Sequence, residues 1–475
     1  MKLQIVTPLR GLKCSMLKKL AIFTAVALLQ GSLISNCTAA EELKPNVIII
    51  FTDDQGYNDL GCFGSKTIKT PHIDRMAKEA KKLTNFMVPS SVCSPSRAAL
   101  QTGCYPKRVG MHRHVLFPQS TTGLTPEEYT LGDMFRGNGY ATATIGKWHL
   151  GHHPETLPRQ NGYDYYFGIP YSNDMNHPDN KNKPKLKSDE SWKNMKTSVK
   201  LWNTPLIENE KIIELPVNQR TITRRYTDKA IEFLKENKQK SCFVYLAHSM
   251  PHIPLYVPED AYDPDPKNAY KCVIEHIDAE VGRLMDYLRS EQLERETIVI
   301  LTSDNGPWLS FGSHGGSALP LRAGKGTTFE GGQRVPCVVW APGKIEEDSQ
   351  YDDLVSSMDL MPTLAAMTQS AIKSEKKIDG LDVSSVLLNG GESPRNEFVY
   401  YSARGNLEGI RRGAWKLLIK GAKGKRVSSL FNLEKDLSEK NNLIQAHPEL
   451  VSQLSKRMLE LDAEIEANKR PVWKK

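Results

Sequence analysis

The sequence predicts an α/β protein built on a large, mostly parallel mixed sheet flanked by helices, with a smaller C-terminal α+β subdomain. Apolar, β-branched runs typical of buried parallel strands alternate with helical patterns. The strand runs are Asn46 to Thr52, Ala141 to Ile145, Cys242 to Ala247, Ile298 to Thr302 and Val335 to Trp340. The helical patterns are His72 to Lys82, Tyr129 to Gly137, Thr223 to Asn237 and Ala269 to Glu291.

The pattern changes after about residue 370. Short strands, Glu397 to Ser402 and Trp415 to Lys420, precede a closing amphipathic helix from Pro448 to Asn468. We therefore predict a main domain over residues 41–370 and a C-terminal subdomain with short antiparallel strands over residues 371–475. Within the main domain, Asn173 to Pro216 is polar and lacks a clear period, and we interpret it as an insertion near the mouth of a site.

Residues 1–40 are typical of a signal peptide. Three lysines precede a short apolar run, Leu20 to Leu29, and a small, polar stretch follows it. The run is shorter than an ordinary membrane-spanning helix, although an uncleaved anchor stays open as an alternative. Cleavage after Ala40 and lipid attachment at Cys37 are both open, as are starts at Met1 and Met16. The prediction is a secreted, periplasmic or cell-surface protein, with membrane attachment only through a lipidated Cys37.

Charge and cysteine content exclude several classes. The formal net charge is +8, but residues 1–40 hold five Lys or Arg and no acid, which leaves +3 for the remainder. So small a positive excess argues against a nucleic-acid partner. It is still compatible with a local cationic pocket for an anionic substrate. The cysteines beyond the signal show neither zinc-type nor disulfide-framework spacing; they are Cys62, Cys93, Cys104, Cys242, Cys272 and Cys337.

Acidic and amide side chains follow two of the predicted strands. Asp53 and Asp54 come directly after the first strand run, and Asp304 and Asn305 follow the fourth. Because ligands of parallel sheets collect at the carboxyl ends of strands, we expect the four side chains to meet. Oxygen-only ligands of this kind favour calcium or magnesium. Each pair alone is equally typical of a turn or a helix cap, so the prediction depends on their pairing.

Cys93 begins a predicted helix. In the run Cys93-Ser94-Pro95-Ser96-Arg97, Pro95 and the Ala-rich stretch that follows are typical of the first turns. The helix places Arg97 one turn from Cys93. A cysteine at a helix start is either an acidic thiol, favoured by the helix dipole, or simply a small buried residue, and both interpretations are open at this point.

The same run resembles the motif of the formylglycine-dependent sulfatases. Cys-x-Pro-Ser-Arg is followed by Thr102-Gly103 at the family spacing. Further similar stretches lie in the same order, covering roughly residues 44 to 440, and resemble sulfatases of the arylsulfatase A and N-acetylgalactosamine sulfatase type. They are Asp53-Asp54, Gly146 to Gly151, Pro251-His252, Asp304 to Gly306, Gly324 to Thr328 and Leu430 to Leu433.

The resemblance implies a sulfuric ester hydrolase with an alkaline phosphatase-like fold. A formylglycine-generating or maturase enzyme would convert Cys93 to formylglycine, whose hydrate carries two hydroxyls. One hydroxyl would attack sulfur and expel the alcohol, and the other would then release sulfate and restore the aldehyde. The resemblance further implies a sulfated small molecule or glycan as substrate and one calcium ion. Its ligands would be Asp53, Asp54, Asp304 and Asn305, together with the modified Cys93.

Other residue roles follow from the resemblance, position by position. Arg97 would steady negative charge on the nucleophile, and Lys147 and Lys325 would clamp sulfate oxygens. His149 would take the proton that triggers sulfate release; in an extended segment it would point to the same side as Lys147. His252 would donate a proton to the departing alcohol.

Some assignments keep competitors. His248 lies four residues before His252 and competes with it for the role of acid. Ser172 is predicted to contact sulfate, and His314 to face the substrate or to bridge a loop. A phosphatase or phosphonate hydrolase with two metals is the second enzymatic hypothesis, and a non-catalytic binder of anionic glycans is the third. Cys93 together with Lys147 and Lys325 favours sulfate and a single metal.

Overall fold

The computed structural model describes residues 43–176, 188–421 and 427–475. Residues 44–475 form one compact unit. The predicted signal peptide, with the alternative start at Met16 and the candidate lipidation site at Cys37, lies outside the described residues. Among the residues that are described, no helix is both long and apolar enough to span a membrane.

Nineteen strands are found in the described part of the chain. They are β1 Asn46–Thr52, β2 Lys81–Leu83, β3 Phe86–Met87, β4 Thr122–Gly123, β5 Ala141–Lys147, β6 Tyr165–Ile169, β7 Leu206–Glu208, β8 Lys211–Glu214, β9 Cys242–Ala247, β10 Thr297–Ser303, β11 Arg334–Val335, β12 Cys337–Trp340, β13 Ser349–Tyr351, β14 Val355–Ser356, β15 Glu397–Tyr401, β16 Leu407–Arg412, β17 Trp415–Lys420, β18 Val427–Asn432 and β19 Trp473–Lys474.

The α-helices alternate with these strands in the first three hundred residues. They are Pro71–Lys78, Cys93–Thr102, Leu131–Gly137, Ser188–Lys193, Met195–Ser198, Ile222–Glu236, Ala269–Ser290, Glu330–Gln333, Leu360–Met367, Ser384–Asn389 and Pro448–Ala467. The alternation confirms the predicted α/β class.

The main sheet has ten strands in the order β13-β2-β12-β10-β1-β9-β5-β6-β7-β8. Its five central strands, from β10 to β6, are all parallel. Antiparallel pairs lie on both flanks, where β12 pairs with β10 and β7 pairs with β6. The predicted large, mostly parallel mixed sheet is therefore confirmed.

Both faces of the sheet are buried. Along β1, Ile48 and Ile50 belong to one apolar cluster, while Val47, Ile49 and Phe51 belong to another on the opposite face. Successive side chains of a strand point to opposite faces, so every side chain is buried in a strand that is covered on both sides. This explains why the strand reads as a continuous apolar run.

Two predicted elements are different in the structure. The helix expected to reach Lys82 ends at Lys78, and β2 begins at Lys81. The run Val335 to Trp340 is interrupted at Pro336, which has no backbone N–H to donate, and its two halves join different sheets as β11 and β12. Its longer half, β12, is antiparallel to β10, whereas a parallel strand was expected.

The C-terminal region forms the predicted smaller unit of secondary structure. Strands β15 to β18 make a four-stranded antiparallel sheet, in chain order. The closing helix Pro448–Ala467 packs against this sheet. The last residues then return to the main domain, where β19 pairs with β4. The boundary at residue 370 stays a prediction.

A buried ionic network ties the small sheet to the main domain. Lys416 on β17 is fully buried, and its Nζ lies 2.8 Å from Glu330 Oε1 and 2.9 Å from Glu439 Oε1. The Tyr400 hydroxyl donates to Glu330 as well, at 2.9 Å. Burial alone would raise the pKa of Glu330, but the charges of Lys416 and Arg411 outweigh it and lower the pKa to about 2.

We expect Lys416→Met to destabilise the protein by about 3–5 kcal/mol. It removes the cation that Glu330 and Glu439 share, and leaves Glu330 with only the more distant Arg334 and Arg411. Urea unfolding should measure the loss, with the exposed Lys435→Met as control. Since the folded pKa of Glu330 lies below its ordinary value of 4.5, its contribution is present above pH 4.5 and is lost as the pH falls towards 2. A free energy of unfolding equal to that of the wild type at neutral pH would contradict this account of the network.

Candidate active site

The carboxyl ends of the central strands carry most of the candidate residues. Thr52 at the end of β1 pairs in register with Ser303 at the end of β10. Asp53-Asp54 and Asp304-Asn305 therefore emerge side by side, and the Asp54 backbone N–H donates to Asp304 Oδ1 at 3.1 Å. The predicted meeting of the two pairs is thus found. Lys147 ends β5, while Ser172 and His252 follow β6 and β9.

Cys93 is the first residue of the helix Cys93–Thr102 and faces this edge of the sheet. Its Sγ lies 3.4 Å from Asp53 Oδ1 and 3.7 Å from Lys325 Nζ. Burial, reinforced by the charges of Asp304 and Asp53, raises the pKa of the thiol well above its ordinary value. Of the two open interpretations, this direction favours the small, buried residue over the acidic thiol for unmodified Cys93.

Lys147 and Arg97 neutralise two of the three aspartates, Asp53 and Asp304. Lys147 Nζ donates to Asp53 Oδ2, and Arg97 contacts Asp304 Oδ2 through Nη2 at 2.8 Å and Nε at 3.1 Å. Burial alone would raise the pKa of Asp53, but the charges of Lys147 and Arg97 keep it well below its ordinary value. Arg97 lies one turn into the helix, as predicted, and also donates to the backbone carbonyl of Lys147 at 2.9 Å.

Lys325, from a different part of the chain, forms an ion pair with Asp54. Its Nζ lies 2.6 Å from Asp54 Oδ1, and the Asn305 side-chain amide donates to the same oxygen at 2.7 Å. Burial would lower the pKa of Lys325, but Asp54 and the other nearby acids raise it. Lys325 is thus a permanent cation, as a clamp for sulfate oxygens requires.

His252 contacts the site through Ser172 and Asp54. Its Nε2 lies 3.3 Å from the Ser172 hydroxyl and 3.6 Å from Asp54 Oδ2. Ser172 in turn accepts a hydrogen bond from Lys147 Nζ at 3.1 Å. Burial, followed by the charge of Lys325, lowers the pKa of His252 to about 3, so that it is neutral in the resting protein. An anion bound beside Lys325 would oppose that charge and raise the pKa of the histidine.

His248 points elsewhere. It is fully buried beside Tyr226, with ring centroids 6.3 Å apart, and neither ring nitrogen has a hydrogen-bond partner. Among the described residues, it makes no hydrogen bond or ion pair with Asp54 or Ser172. The geometry therefore favours His252 over His248 for the role of proton donor.

His149 has the protonation state of a base. Its Nε2 lies 2.8 Å from the carbonyl oxygen of Leu116, and because a carbonyl only accepts, that nitrogen must carry the hydrogen. Its Nδ1 is buried without a partner and keeps its lone pair. Burial, with the charges of Lys147 and Arg97, lowers the pKa of His149 well below its ordinary value. The expected extended segment is not formed, however, because β5 ends at Lys147 and His149 has a φ of 60°.

Glycine permits two close backbone approaches at this edge. A Cβ at Gly146, which has a φ of 113°, would lie 1.8 Å from the Ala247 carbonyl oxygen, so only glycine fits immediately before Lys147. At Gly306, after Asp304-Asn305, a Cβ would lie 1.8 Å from the Gly331 carbonyl oxygen. Both motifs therefore need their glycine to bring the polar residues to the site.

The donor set is suitable for a hard cation. The ligand atoms of Asp53, Asp54, Cys93 and His252 all lie within 4.8 Å of one another. Asn305 Oδ1 is buried with no hydrogen-bond partner, as an oxygen intended for a cation would be. The oxygens of Asp53, Asp54 and Asn305 are the kind of ligand that calcium and magnesium prefer.

Burial raises the pKa values of the other two aspartates, Asp304 and Asp54. Burial and the charge of Asp53 raise the pKa of Asp304 to about 7, against the effect of Arg97. Burial likewise raises the pKa of Asp54, although Lys325 opposes it. A divalent cation among these groups would favour their charged forms and lower both pKa values.

His314 pairs with a residue outside the site, whereas Trp308 and Asp174, which the sequence did not predict, lie near it. His314 is buried, and its Nε2 lies 3.2 Å from an Asp189 carboxylate oxygen. Within the described part of the chain it forms no ion pair with a residue of the site. Trp308 was missed, although it follows Asp304 to Pro307 closely. Its ring lies 4.3 Å from Lys325 Nζ and 5.5 Å from the His252 ring. Asp174, also missed, acts electrostatically on His252 and has a buried oxygen without a partner.

Comparison with known proteins agrees with this geometry. A family model described as sulfatase matches residues 45–370, and one described as N-sulphoglucosamine sulphohydrolase, C-terminal, matches residues 324–464. Arylsulfatase G of Rattus norvegicus is 34% identical over 454 residues, covering 87% of this chain and 85% of its own. Arylsulfatase A of Homo sapiens is 37% identical over 363 residues, covering 75% and 70%.

A solved structure is similar over nearly the whole chain. It is the crystal structure of Ps i-CgsB in complex with k-i-k-neocarrahexaose, with 29% sequence identity and a TM-score of 0.76. The alignment covers 88% of this chain and 92% of that chain. With a family model matching more than half of its length and with these relatives, the chain belongs to the sulfatase family and is a sulfuric ester hydrolase.

Proposed function

We propose that the protein removes sulfate from a sulfated sugar or glycan, with Cys93 converted to formylglycine and one calcium ion beside it. The observation that carries the proposal is the position of Cys93. It lies between Asp53 and Lys325 at the edge where two strand ends bring Asp53-Asp54 and Asp304-Asn305 together.

When formed, a hydrated formylglycine supplies a hydroxyl nucleophile and a second hydroxyl that later expels sulfate. This chain's own residues bind and move protons around it. Lys147 and Lys325 hold sulfate oxygens in a buried pocket, where their charges act strongly. His149, neutral and with a free Nδ1, accepts a proton. His252, whose pKa rises when the anion binds, gives one to the leaving oxygen.

The residues for calcium are those predicted, namely Asp53, Asp54, Asp304, Asn305 and the modified Cys93. When bound, calcium polarises the sulfate group and lowers the pKa of an oxygen placed on it. The unpartnered Asn305 Oδ1 and the raised pKa values of Asp54 and Asp304 support a cation in this place. We keep His252 for the substrate, because calcium prefers oxygen to nitrogen ligands.

The sugar as substrate is supported by the related proteins. The similar Ps i-CgsB was solved with an oligosaccharide bound, and another relative is N-acetylgalactosamine-6-sulfatase of Sus scrofa, 34% identical over 376 residues. The predicted signal peptide would place the protein where sulfated polymers occur. The modifying enzyme is a further partner, and because Cys93 is 1% exposed, that enzyme would have to act before the chain has folded.

We expect Cys93→Ala to abolish sulfate-ester turnover while the thermal unfolding midpoint stays close to that of the wild type, because it removes only the nucleophile precursor. Mass spectrometry of the Cys93 peptide from the native host should show the aldehyde. The half-buried Cys272→Ala, on the helix Ala269–Ser290, serves as the control and should remain active. Full activity of Cys93→Ala would make the nucleophile assignment wrong, and an unmodified cysteine in native protein would favour a non-catalytic binder.

We expect His252→Gln to lower kcat for a sugar sulfate by about 10²–10⁴-fold, the usual contribution of a general acid. The loss should be much smaller for 4-nitrophenyl sulfate, because its leaving group departs without a proton. His248→Gln is the matched control, since this histidine makes no contact with the site among the described residues. Equal losses on both substrates, or a greater loss in His248→Gln, would contradict the assignment of His252.

We expect calcium to stabilise the protein as it binds, raising the free energy of unfolding by about 2.7 kcal/mol at one hundred times its dissociation constant. Thermal unfolding after chelation, with calcium or magnesium added back, measures this independently of activity. Asp54→Asn should lose the response, and Asp286→Asn, on an exposed helix surface, should keep it. A midpoint that does not change with calcium in the wild type would rule the ion out.

The phosphatase hypothesis is tested by the same protein. Paired turnover of matched sulfate and phosphate esters, together with metal analysis, should show a preference for sulfate and one metal per chain. A preference for phosphate with two transition metals would overturn the proposed substrate class.

A further inference from the structure

A basic cavity of about 480 Å³ lies between the segment 110–122 and the C-terminal residues 469–474. No Asp or Glu lines it. Four side chains that carry a permanent positive charge line it, together with two histidines. These are Arg113, Lys469, Arg470, Lys474, His112 and His114.

The cavity is a built feature of the fold. Strand β19 pairs with β4, and the Lys475 backbone N–H donates to the Thr121 carbonyl at 2.9 Å. These contacts fasten the C-terminal segment to the main domain. Arg470 is part of the same attachment, since it donates to Glu128 at 2.8 Å. The walls are therefore fixed by backbone pairing and by an ion pair.

Two of the cations are uncompensated. Lys469 lies 3.3 Å from Glu466 and Arg470 is bound by Glu128. Arg113 and Lys474 are exposed, and neither has a carboxylate within 4 Å among the described residues. Their charges are therefore available to a ligand.

His112 also lines the cavity and is buried. It is 8% exposed, and its Nδ1 has no hydrogen-bond partner. Burial, followed by the charges of Lys469 and Arg113, lowers the pKa of His112 to about 4. The histidine thus experiences an unbalanced positive field, which an anion in the cavity would neutralise.

One residue connects the cavity to the active site. Leu116 lines the cavity, and its carbonyl oxygen lies 2.8 Å from His149 Nε2. Its backbone N–H donates to the hydroxyl of Ser94, the neighbour of Cys93, at 3.0 Å. A single peptide segment therefore separates the basic cavity from the proposed nucleophile and base.

We propose that this cavity is a second anion subsite, which binds another sulfate group of the same glycan while the first is hydrolysed beside Cys93. This inference rests on the proposed function and narrows the substrate to a glycan with more than one sulfate. Arg113 and Lys474 would supply the charge, and the neighbouring Lys469 and Arg470 would add to the positive field. The protein would then select polysulfated substrates over small aryl sulfates.

The test uses the full chain and a fully sulfated maltohexaose as the probe, with binding measured by calorimetry. The double variant Arg113→Gln/Lys474→Gln should raise the Kd of this probe about ten-fold or more, since hydrogen bonds to charged groups contribute about 1.5–3 kcal/mol each. Inhibition of 4-nitrophenyl sulfate hydrolysis by inorganic sulfate should be unchanged, because that anion needs only the first subsite.

The matched control is Arg295→Gln/Lys344→Gln. It removes the same charge from exposed positions, one of them just before β10 and so at the end of the sheet opposite to the active site. Its Kd for the probe should equal that of the wild type. Equal loss in both double variants, or no loss in Arg113→Gln/Lys474→Gln, would overturn the second subsite. Absence of any sulfate-ester turnover by verified, modified wild type would instead overturn the proposed function, and the Kd comparison would still be measured.

Discussion

The pairing of β1 with β10 is the constraint on which the rest of the site depends. Their parallel register ends with Thr52 beside Ser303, so three aspartates and an asparagine arrive together in a buried place. Buried carboxylates are costly unless they are paired or bound to a cation. The surrounding structure therefore has to provide positive charge from several directions.

The positive charge comes from three separate elements. Arg97 lies on the helix that starts at Cys93, Lys147 ends β5, and Lys325 lies in the segment between β10 and β11. Each is paired with an aspartate of the site. Burial and the same positive charges lower the pKa values of His149 and His252, so both are neutral in the resting protein. A neutral His149 is ready for its proposed role as base. His252 would have to gain a proton, on substrate binding, for its proposed role as acid.

The C-terminal region contributes to this arrangement in two ways. Lys416 on the small sheet is paired with Glu330, only a few residues beyond Lys325, so the small sheet supports the loop that carries the lysine. The last residues return to pair with β4 and close the basic cavity beside Leu116. Neither contact has a local sequence signal, because both join segments that are far apart in the chain.

The sequence by itself determined the fold class, the strand runs around the site, the helix at Cys93 and the motif residues. These depend on local patterns: continuous apolar runs for strands covered on both faces, and proline and small residues at a helix start. Only the tertiary structure decided the strand order, the antiparallel direction of β12, the tautomer of His149, and the contacts of Trp308 and Asp174. It also gave the geometry that favours His252 over His248. The physical reason is that burial, charge and hydrogen-bond partners depend on which distant segments pack together, and local sequence carries little information about that packing.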